Sequence, residues 1–277
     1  MAGTLYVVAT PLGNLQDLTL RAADILRSVA VVAAEDTRHS RPLLSHLGAS
    51  PQLLSFHAHS DERRVGMLLD ILRDGRSVAL ITDAGTPAIS DPGHLLVAAA
   101  RAAGIDVIPI PGPSAVATAL SAAGLPADRY LFLGFVPRKG TERARMLARA
   151  AAEEWSVVFF EAPGRIVALL DDLAEAAGSG RRVTVARELT KLHEEIVSGT
   201  LADIAGYYTT SEPRGEFTVV LEGTGQPAAA PDRSAEAVEL AQRLLAEGRT
   251  RREAAQQVSA ELGLPRNAAY RLVTGLP

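Results

Sequence analysis

The chain has 277 residues, of which 47 % are apolar and 22 % charged, and its net charge is −4. This is long enough for two compact domains of a globular protein, and no apolar stretch reaches the length needed to cross a bilayer. Without cysteine there are no disulfides, no Cys-ligated zinc and no thiol nucleophile, and the acidic balance argues against a general nucleic-acid binder.

The N-terminal MAGTLYVVATPLGN lacks a basic leader and a long apolar run, so it reads as a first strand rather than a signal peptide, and a cytoplasmic protein is expected. LYVVAT (5–10) is strand-like and LTLRAADILRSV (18–29) is an amphipathic helix. AVVAAE (30–35) follows as an apolar strand. SRPLLSHL (40–47) is helical with Pro42 near its start. LLSF (53–56) is a short strand, and Ser60 is placed to cap a helix that Gly75 closes. SVALIT, LLVAAARAAG, DVIPI and SAVATALSAAG continue the alternation. Strands that alternate with helices, and that are apolar throughout, predict a mostly parallel sheet covered on both faces. The α/β domain expected from this spans 1–124.

Near 126–139 the texture changes to a short aromatic strand between prolines. A second α/β domain is expected over 125–225, with adjacent strands at 182–188 and 194–200 that imply a mixed sheet. A Pro/Ala-rich linker (226–234) leads to a C-terminal helical region (235–277). Its last two helices have helix-turn-helix spacing, and Arg251, Arg252, Arg266, Asn267 and Arg271 are available to nucleic acid if that reading holds; a small helical cap is the alternative.

Between SVALI and the following helix lies ITDAGTPAISDPG (81–93), thirteen residues crowded with Gly, Pro, Asp and Thr. Strand-to-helix loops usually run about 2–6 residues, and longer anchored ones are commonly binding loops. ATPLGN (9–14), AEDTRHS (34–40) and IPGPSA (110–115) follow other expected strands. In a parallel sheet these ends share one edge, so the four loops converge on one cleft. There is no G-x-G-x-x-G after the first strand, no Walker lysine and no G-x-S-x-G, which sets aside dinucleotide, P-loop and hydrolase chemistry. His57-x-His59 lacks an obvious third ligand, and no metal is expected.

ATPLGNLQDLTLRA, AEDTRHS, ITDAGTPAISDPG, PGPSA, GFVPRKG, FFEAPGR, RELTKLHEE and GEFTVVLEG together resemble the motif series of the tetrapyrrole-methylase-like (class III) S-adenosylmethionine methyltransferases. GNLQDLTLRA with AEDTR and RELTKLHEE is similar to the branch that modifies small-subunit ribosomal RNA. The resemblance runs from about Thr4 to Gly223. It implies two α/β domains with the methyl donor between them, a homodimer, and 2′-O-methylation of a decoding-centre cytidine of 16S rRNA in the small ribosomal subunit. By the same resemblance the donor contacts are Pro11, Leu12, Asp83, Gly85, Thr86, Ser90, Ser114 and Ala115 in the first domain. The second domain adds Glu161, Ala162, Glu216, Phe217 and Thr218.

A ribose hydroxyl is a weak acid, so a base or a lysine assists its deprotonation. Asp36 and Lys191 are the candidates. The alternative for Asp36 is a helix N-cap, and for Lys191 a surface ion pair. Arg38 and Arg187 are candidates for gripping phosphates, and Arg138, Lys139 and Arg165 for further RNA contacts. Two other readings stay open: methylation of a tetrapyrrole or other small molecule on the same fold, and a ribosome-assembly protein that uses the donor pocket only for regulation.

Overall fold

The computed structural model describes residues 2–57, 62–211, 213–225, 234–264 and 266–276. The expected cap Ser60, His59 of the histidine pair, and linker residues 226–233 lie outside the described residues. By its internal contacts the chain divides into Met1–Gln226 and Pro227–Pro277.

The first sheet contains β1 (Leu5–Val8), β2 (Val31–Ala34), β3 (Gln52–Ser55), β4 (Val78–Ile81) and β5 (Val107–Ile110), in the order β3-β2-β4-β1-β5. Every pairing is parallel. Successive side chains on a strand point to opposite faces, so each strand serves two cores. Leu5, Val31, Ala33, Val78 and Leu80 pack under α3 (Glu62–Arg73) and α4 (His94–Ala102). Val8, Val32, Ala34, Ala79, Ile81 and Ile110 pack under α1 (Leu20–Ser28) and α2 (Thr37–His46). Burial on both faces is why these strands read as unbroken apolar runs.

Helix α2 begins three residues before the expected start. Asp36 is extended, and its carboxylate accepts the Arg38 N–H at 2.8 Å, which satisfies a first-turn donor. Pro42 therefore sits inside the helix. The cap outweighs the proline's preference for the first turn.

The second sheet contains β6 (Tyr130–Phe135), β7 (Ser156–Glu161), β8 (Arg182–Arg187), β9 (Glu195–Thr200) and β10 (Phe217–Leu221), in the order β6-β7-β10-β8-β9. Only β6 and β7 pair in parallel, so the sheet is mixed. One face holds a core shared with α6 (Gly140–Ala152), α7 (Ile166–Ala177) and α8 (Leu201–Thr210), centred on Phe159, Leu169, Val185 and Val219. The other face is covered by α5 (Ala115–Ala122), whose Val116, Ala119 and Leu120 pack with Val158, Ala186 and Val220. Helix α5 follows the last strand of the first sheet yet is buried against the second. Just before it, a Cβ on Gly112 would lie 3.0 Å from the Ala9 Cβ, so that segment is still pressed against the first sheet.

The C-terminal unit has its own core, formed by Leu240, Ala241 and Leu244 of α9 (Ser234–Ala246), Ala254 and Val258 of α10 (Arg251–Leu262), and Ala269 and Val273 of α11 (Arg266–Thr274). Thr250 and Glu253 form a capping box on α10, and left-handed Gly263 ends it. Arg251 donates to the carbonyls of Thr274 and Leu276 and so ties α10 to the end of α11. Arg252, Arg266 and Arg271 are exposed. Among the described residues no helix is long and apolar enough to cross a membrane.

Candidate active site

The carboxyl ends of β1, β2, β4 and β5 face those of β6, β7 and β8 across a cavity of about 460 Å³. The first sheet's loops supply Leu12, Glu35, Thr82–Thr86, Ile89–Asp91 and Ser114–Val116. The second sheet supplies Phe135, Phe160–Pro163, Leu189 and Gly215–Thr218. The volume is in the range of small-molecule and cofactor sites, and the carboxyl edge is where open α/β sheets bind ligands. A larger hollow of about 720 Å³, lined by Arg129, Trp155 and Arg181, opens at the other end of the second sheet, among the turns before β6, β7 and β8 and after β10. The smaller cavity is the one where loops of both sheets meet at the carboxyl ends of the first sheet's parallel strands, and that placement outweighs size.

The long loop after β4 is folded tightly against its neighbours. Thr10 and Gly85 exchange two backbone hydrogen bonds, of 2.8 and 3.0 Å. The Thr10 hydroxyl donates to the Thr82 carbonyl at 3.0 Å and that of Thr86 to the Pro113 carbonyl at 3.1 Å. Gly85 has φ +83°, and two residues with side chains, Ala88 and Ser90, also lie in the left-handed region, at 69° and 63°. Such backbone is held only where the surroundings over-determine it. Ser114 is extended and caps α5 by accepting the Ala117 N–H, so the amides that open α5 border the cavity.

Five carboxylates line the cavity, those of Glu35, Asp83, Asp91, Glu161 and Glu216, and no Lys, Arg or His is among the lining residues. Glu161 is fully buried and is paired with Arg165 at 3.0 Å from outside the cavity. Glu216 is paired with Lys191 at 3.1 Å. Asp83 accepts the Asp36 N–H at 3.1 Å and lies 3.2 Å from His39 Nδ1. Glu35 accepts the Thr82 hydroxyl at 2.6 Å. Burial pushes the Asp91 carboxyl up to about 6; the charges of Glu35, Asp83 and Glu216 add to the rise, and a bond from Thr82 opposes it.

Of the residues expected to touch the donor, Leu12, Asp83, Gly85, Thr86, Ser90, Ser114, Ala115, Glu161, Ala162, Glu216, Phe217 and Thr218 all line this cavity. Pro11 does not. It lines an adjoining hollow of about 320 Å³ with Gly13, Leu15, Arg38, His39 and Pro42, and the two spaces share Leu12, Thr82 and Asp83. Glu35, Thr82, Asp91, Phe135, Phe160 and Leu189 line the cavity and escaped the sequence reading. For Glu35 and Thr82 a signal existed, because each directly follows an apolar strand. Asp91 lay inside the quoted loop. Phe135 and Phe160 carry no signal that separates them from core residues.

Asp36 is the N-cap of α2. Its carboxylate also binds the Arg38 guanidinium at 2.6 Å, and these bonds hold it well below the usual carboxylate range, which makes it a poor proton acceptor. Lys191 binds Glu188 at 2.8 Å as well as Glu216. Burial works against its charge, but the two carboxylates outweigh it and hold Lys191 above its ordinary value. It is therefore a fixed cation rather than a base. Its stem lies over Gly13, where a Cβ would meet Lys191 Cγ at 2.3 Å, so a larger residue there would have to push the stem aside.

The Arg38 side chain is 87 % exposed, and Arg138 and Lys139 are also exposed. Arg165 is instead committed to Glu161 and the Val136 carbonyl, and Arg187 lies 3.3 Å from Glu195. One oxygen each of Asp36 and Asp83 and a His39 nitrogen lie within 4.8 Å of one another. Arg38 already neutralises Asp36 there.

The family model of the Tetrapyrrole (Corrin/Porphyrin) Methylases matches residues 4–205. The chain is 45 % identical to "Ribosomal RNA small subunit methyltransferase I" of Synechocystis sp., over 98 % of this chain and 97 % of that protein. It is 44 % identical to the protein of the same name from Pseudomonas aeruginosa, over 97 % and 96 %. Among solved structures it is similar to a cobalamin biosynthetic cobalt precorrin-4 methyltransferase, with a TM-score of 0.62, 21 % identity and 79 % and 94 % of the two chains covered. It is also similar to a Thermus thermophilus uroporphyrin-III C-methyl transferase complexed with S-adenosyl homocysteine, with a TM-score of 0.56, 22 % identity and 79 % and 97 % covered. At these identities the structural likenesses establish the fold alone.

Proposed function

The chain belongs to the tetrapyrrole methylases and, within them, to the ribosomal RNA small subunit methyltransferase I family, and on that premise we propose that it transfers a methyl group from S-adenosylmethionine to a ribose 2′-hydroxyl of 16S rRNA in the small ribosomal subunit. A decoding-centre cytidine is the target carried over from the sequence resemblance. The observation that carries the reading is the meeting of both sheets' carboxyl edges on one anionic cavity, with Arg38 in the hollow beside it.

The cavity fits the donor by its chemistry. A sulfonium cation suits carboxylates, the amides opening α5 suit the amino-acid carboxylate, and Phe135 and Phe160 offer apolar surface to an adenosine. The donor supplies an electrophilic methyl group, and the protein's part is positioning and electrostatics. The adjoining hollow, which shares Leu12, Thr82 and Asp83 with the donor cavity, would hold the acceptor ribose. Lys191, kept protonated, would stabilise the oxygen as its proton passes to water. Asp36 fixes Arg38, which meets a phosphate; Arg138 and Lys139, exposed in the turn after β6, are the further phosphate contacts of this reading. Arg165 and Arg187 act within the protein, and Arg165 holds Glu161 in place. No metal takes part in this scheme. We further infer two α/β domains whose packing changes over at Pro113–Ser114, ahead of the expected boundary at residue 124, together with a homodimer and a cytoplasmic location. Light scattering tests the dimer.

The test is transfer of radiolabelled methyl from S-adenosylmethionine to small subunits lacking the modification, with free 16S rRNA and a porphyrinogen in parallel. The expected product is a 2′-O-methylated cytidine from the particle. Label on the porphyrinogen alone overturns the RNA reading and favours a small-molecule methylase. Donor binding without any transfer favours a regulatory binding protein. Asp83→Ala is expected to abolish donor binding.

A further inference from the structure

The charge of the cavity carries a consequence for the two forms of its ligand. S-adenosylmethionine and the demethylated S-adenosylhomocysteine share their adenosine, ammonium and carboxylate. They differ by one methyl group and by the sulfonium's positive charge. Transfer breaks the S–CH3 bond, forms the O–CH3 bond, releases the hydroxyl proton to water and leaves a neutral thioether. Two of the five lining carboxylates have cationic partners outside the cavity: Glu161 has Arg165 and Glu216 has Lys191. Glu35, Asp83 and Asp91 remain near Thr82; His39 lies beside Asp83 and the Arg38 guanidinium also bears on it, while neither side chain lines the cavity.

Resting on the donor reading above, we propose that this anionic cluster makes the cavity read the ligand's positive charge, so that the donor is held more tightly than its own demethylated product, and that Asp91 sets the size of the preference. The neutral thioether gains nothing from the carboxylates and leaves them facing one another without a counter-charge, so loss of the methyl group itself weakens the hold on the product. Burial does most to raise the Asp91 carboxyl and the charges of Glu35, Asp83 and Glu216 add to it; a cation relieves that added repulsion, which returns when the cation is gone.

The groups that face Asp91 are Glu35 after β2, Thr82 and Asp83 after β4, and Glu216 before β10. His39 and Arg38 bear on Asp83, and Lys191 bears on Glu216. The Asp91 carboxylate is charged at pH 8 and largely protonated at pH 5, so the preference is strongest in the alkaline arm.

Isothermal titration of the full chain with S-adenosylmethionine, sinefungin and S-adenosylhomocysteine at pH 8 and pH 5 tests this. Sinefungin keeps a cation near the sulfonium position without being a methyl donor. At pH 8 both cationic ligands are expected to bind about tenfold tighter than S-adenosylhomocysteine, with the gap closing several-fold at pH 5. Asp91→Asn is expected to show the narrower gap already at pH 8, and Glu35→Gln to narrow it as well. His39→Asn is expected to keep the pH dependence. Equal affinities at pH 8, or tighter binding of the thioether, overturn the proposal, as does an undiminished gap in Asp91→Asn. If Asp91→Asn does not fold, the pH series on the unsubstituted protein decides alone. Binding of none of the three ligands refutes the donor reading instead.

Discussion

The two sheets build opposite walls of one cavity by different means. The first wall is backbone: Gly85, Ala88 and Ser90 take left-handed conformations, and Thr10, Thr86 and the Pro113 carbonyl pin the loops together. The second wall is largely side chain: Glu161 and Phe160 at the end of β7, with Phe217 and Thr218 at the start of β10. A backbone wall tolerates changes of side chain but not of conformational freedom. A side-chain wall depends on each group keeping its partner.

The largest effect is expected on the side-chain wall. Glu161→Ala leaves the partly buried Arg165 guanidinium without its carboxylate, and removing one member of such a pair costs about 3 kcal/mol. Urea denaturation should show that loss of stability, and a midpoint equal to the parent's would mean Arg165 finds another partner. Gly85→Val probes the other wall. At φ +83°, with a Cβ 3.3 Å from Leu12 Cδ2, valine is strained and crowded, and donor affinity should fall about a hundredfold with a smaller change in unfolding. If stability fell instead and binding held, the division between walls would be wrong. Arg38→Ala touches neither wall. It should leave donor titrations unchanged and lower methylation of small subunits about tenfold; unchanged turnover would dismiss the phosphate grip.

The smallest effect concerns Asp91, whose loop belongs to the first wall but whose side chain acts like those of the second. Its carboxyl is raised from 3.8 to about 6. The unfolded chain gives up this proton first, so the folded state loses stability as pH rises from about 4 through 6. Asp91→Asn removes that loss. The ligand-free variant should be more stable than its parent at pH 7.5, by about 1 kcal/mol once solvent screening is allowed for, and the difference should shrink at pH 4.5. Thermal melts at the two pH values decide the sign.

The same contrast explains what was legible in the sequence. The first wall is written in Gly, Pro, Asp and Thr between apolar strands, a pattern that announces unusual backbone, and the 81–93 loop was readable for that reason. Phe135, Phe160 and Leu189 are apolar residues that line a cavity instead of filling a core, and only the arrangement of the two sheets separates the two. Glu35 and Asp91 stood in plain view beside Asp36 and Ser90, but what singles them out is their shared approach to Thr82, a contact across strands. Asp36 drew attention as a base, and its geometry is that of a cap holding Arg38. Two beginnings of α2 were legible, one with Pro42 in the first turn and one with Asp36 as the cap, and the bond from Asp36 to the Arg38 N–H decides for the cap.

Helix α5 gives the cleft a mechanical character. Gly112 is pressed against β1's end and α5 is cemented to the second sheet, so Pro113 and Ser114 are the short stretch where the chain changes allegiance. A change in the spacing of the sheets must be absorbed there, as a book's opening is absorbed in its spine. Pro113 receives the Thr86 hydroxyl and Ser114 borders the cavity. The pivot and the wall of the binding site are thus the same few atoms, and a molecule seated against Ser114 leans on the fulcrum itself.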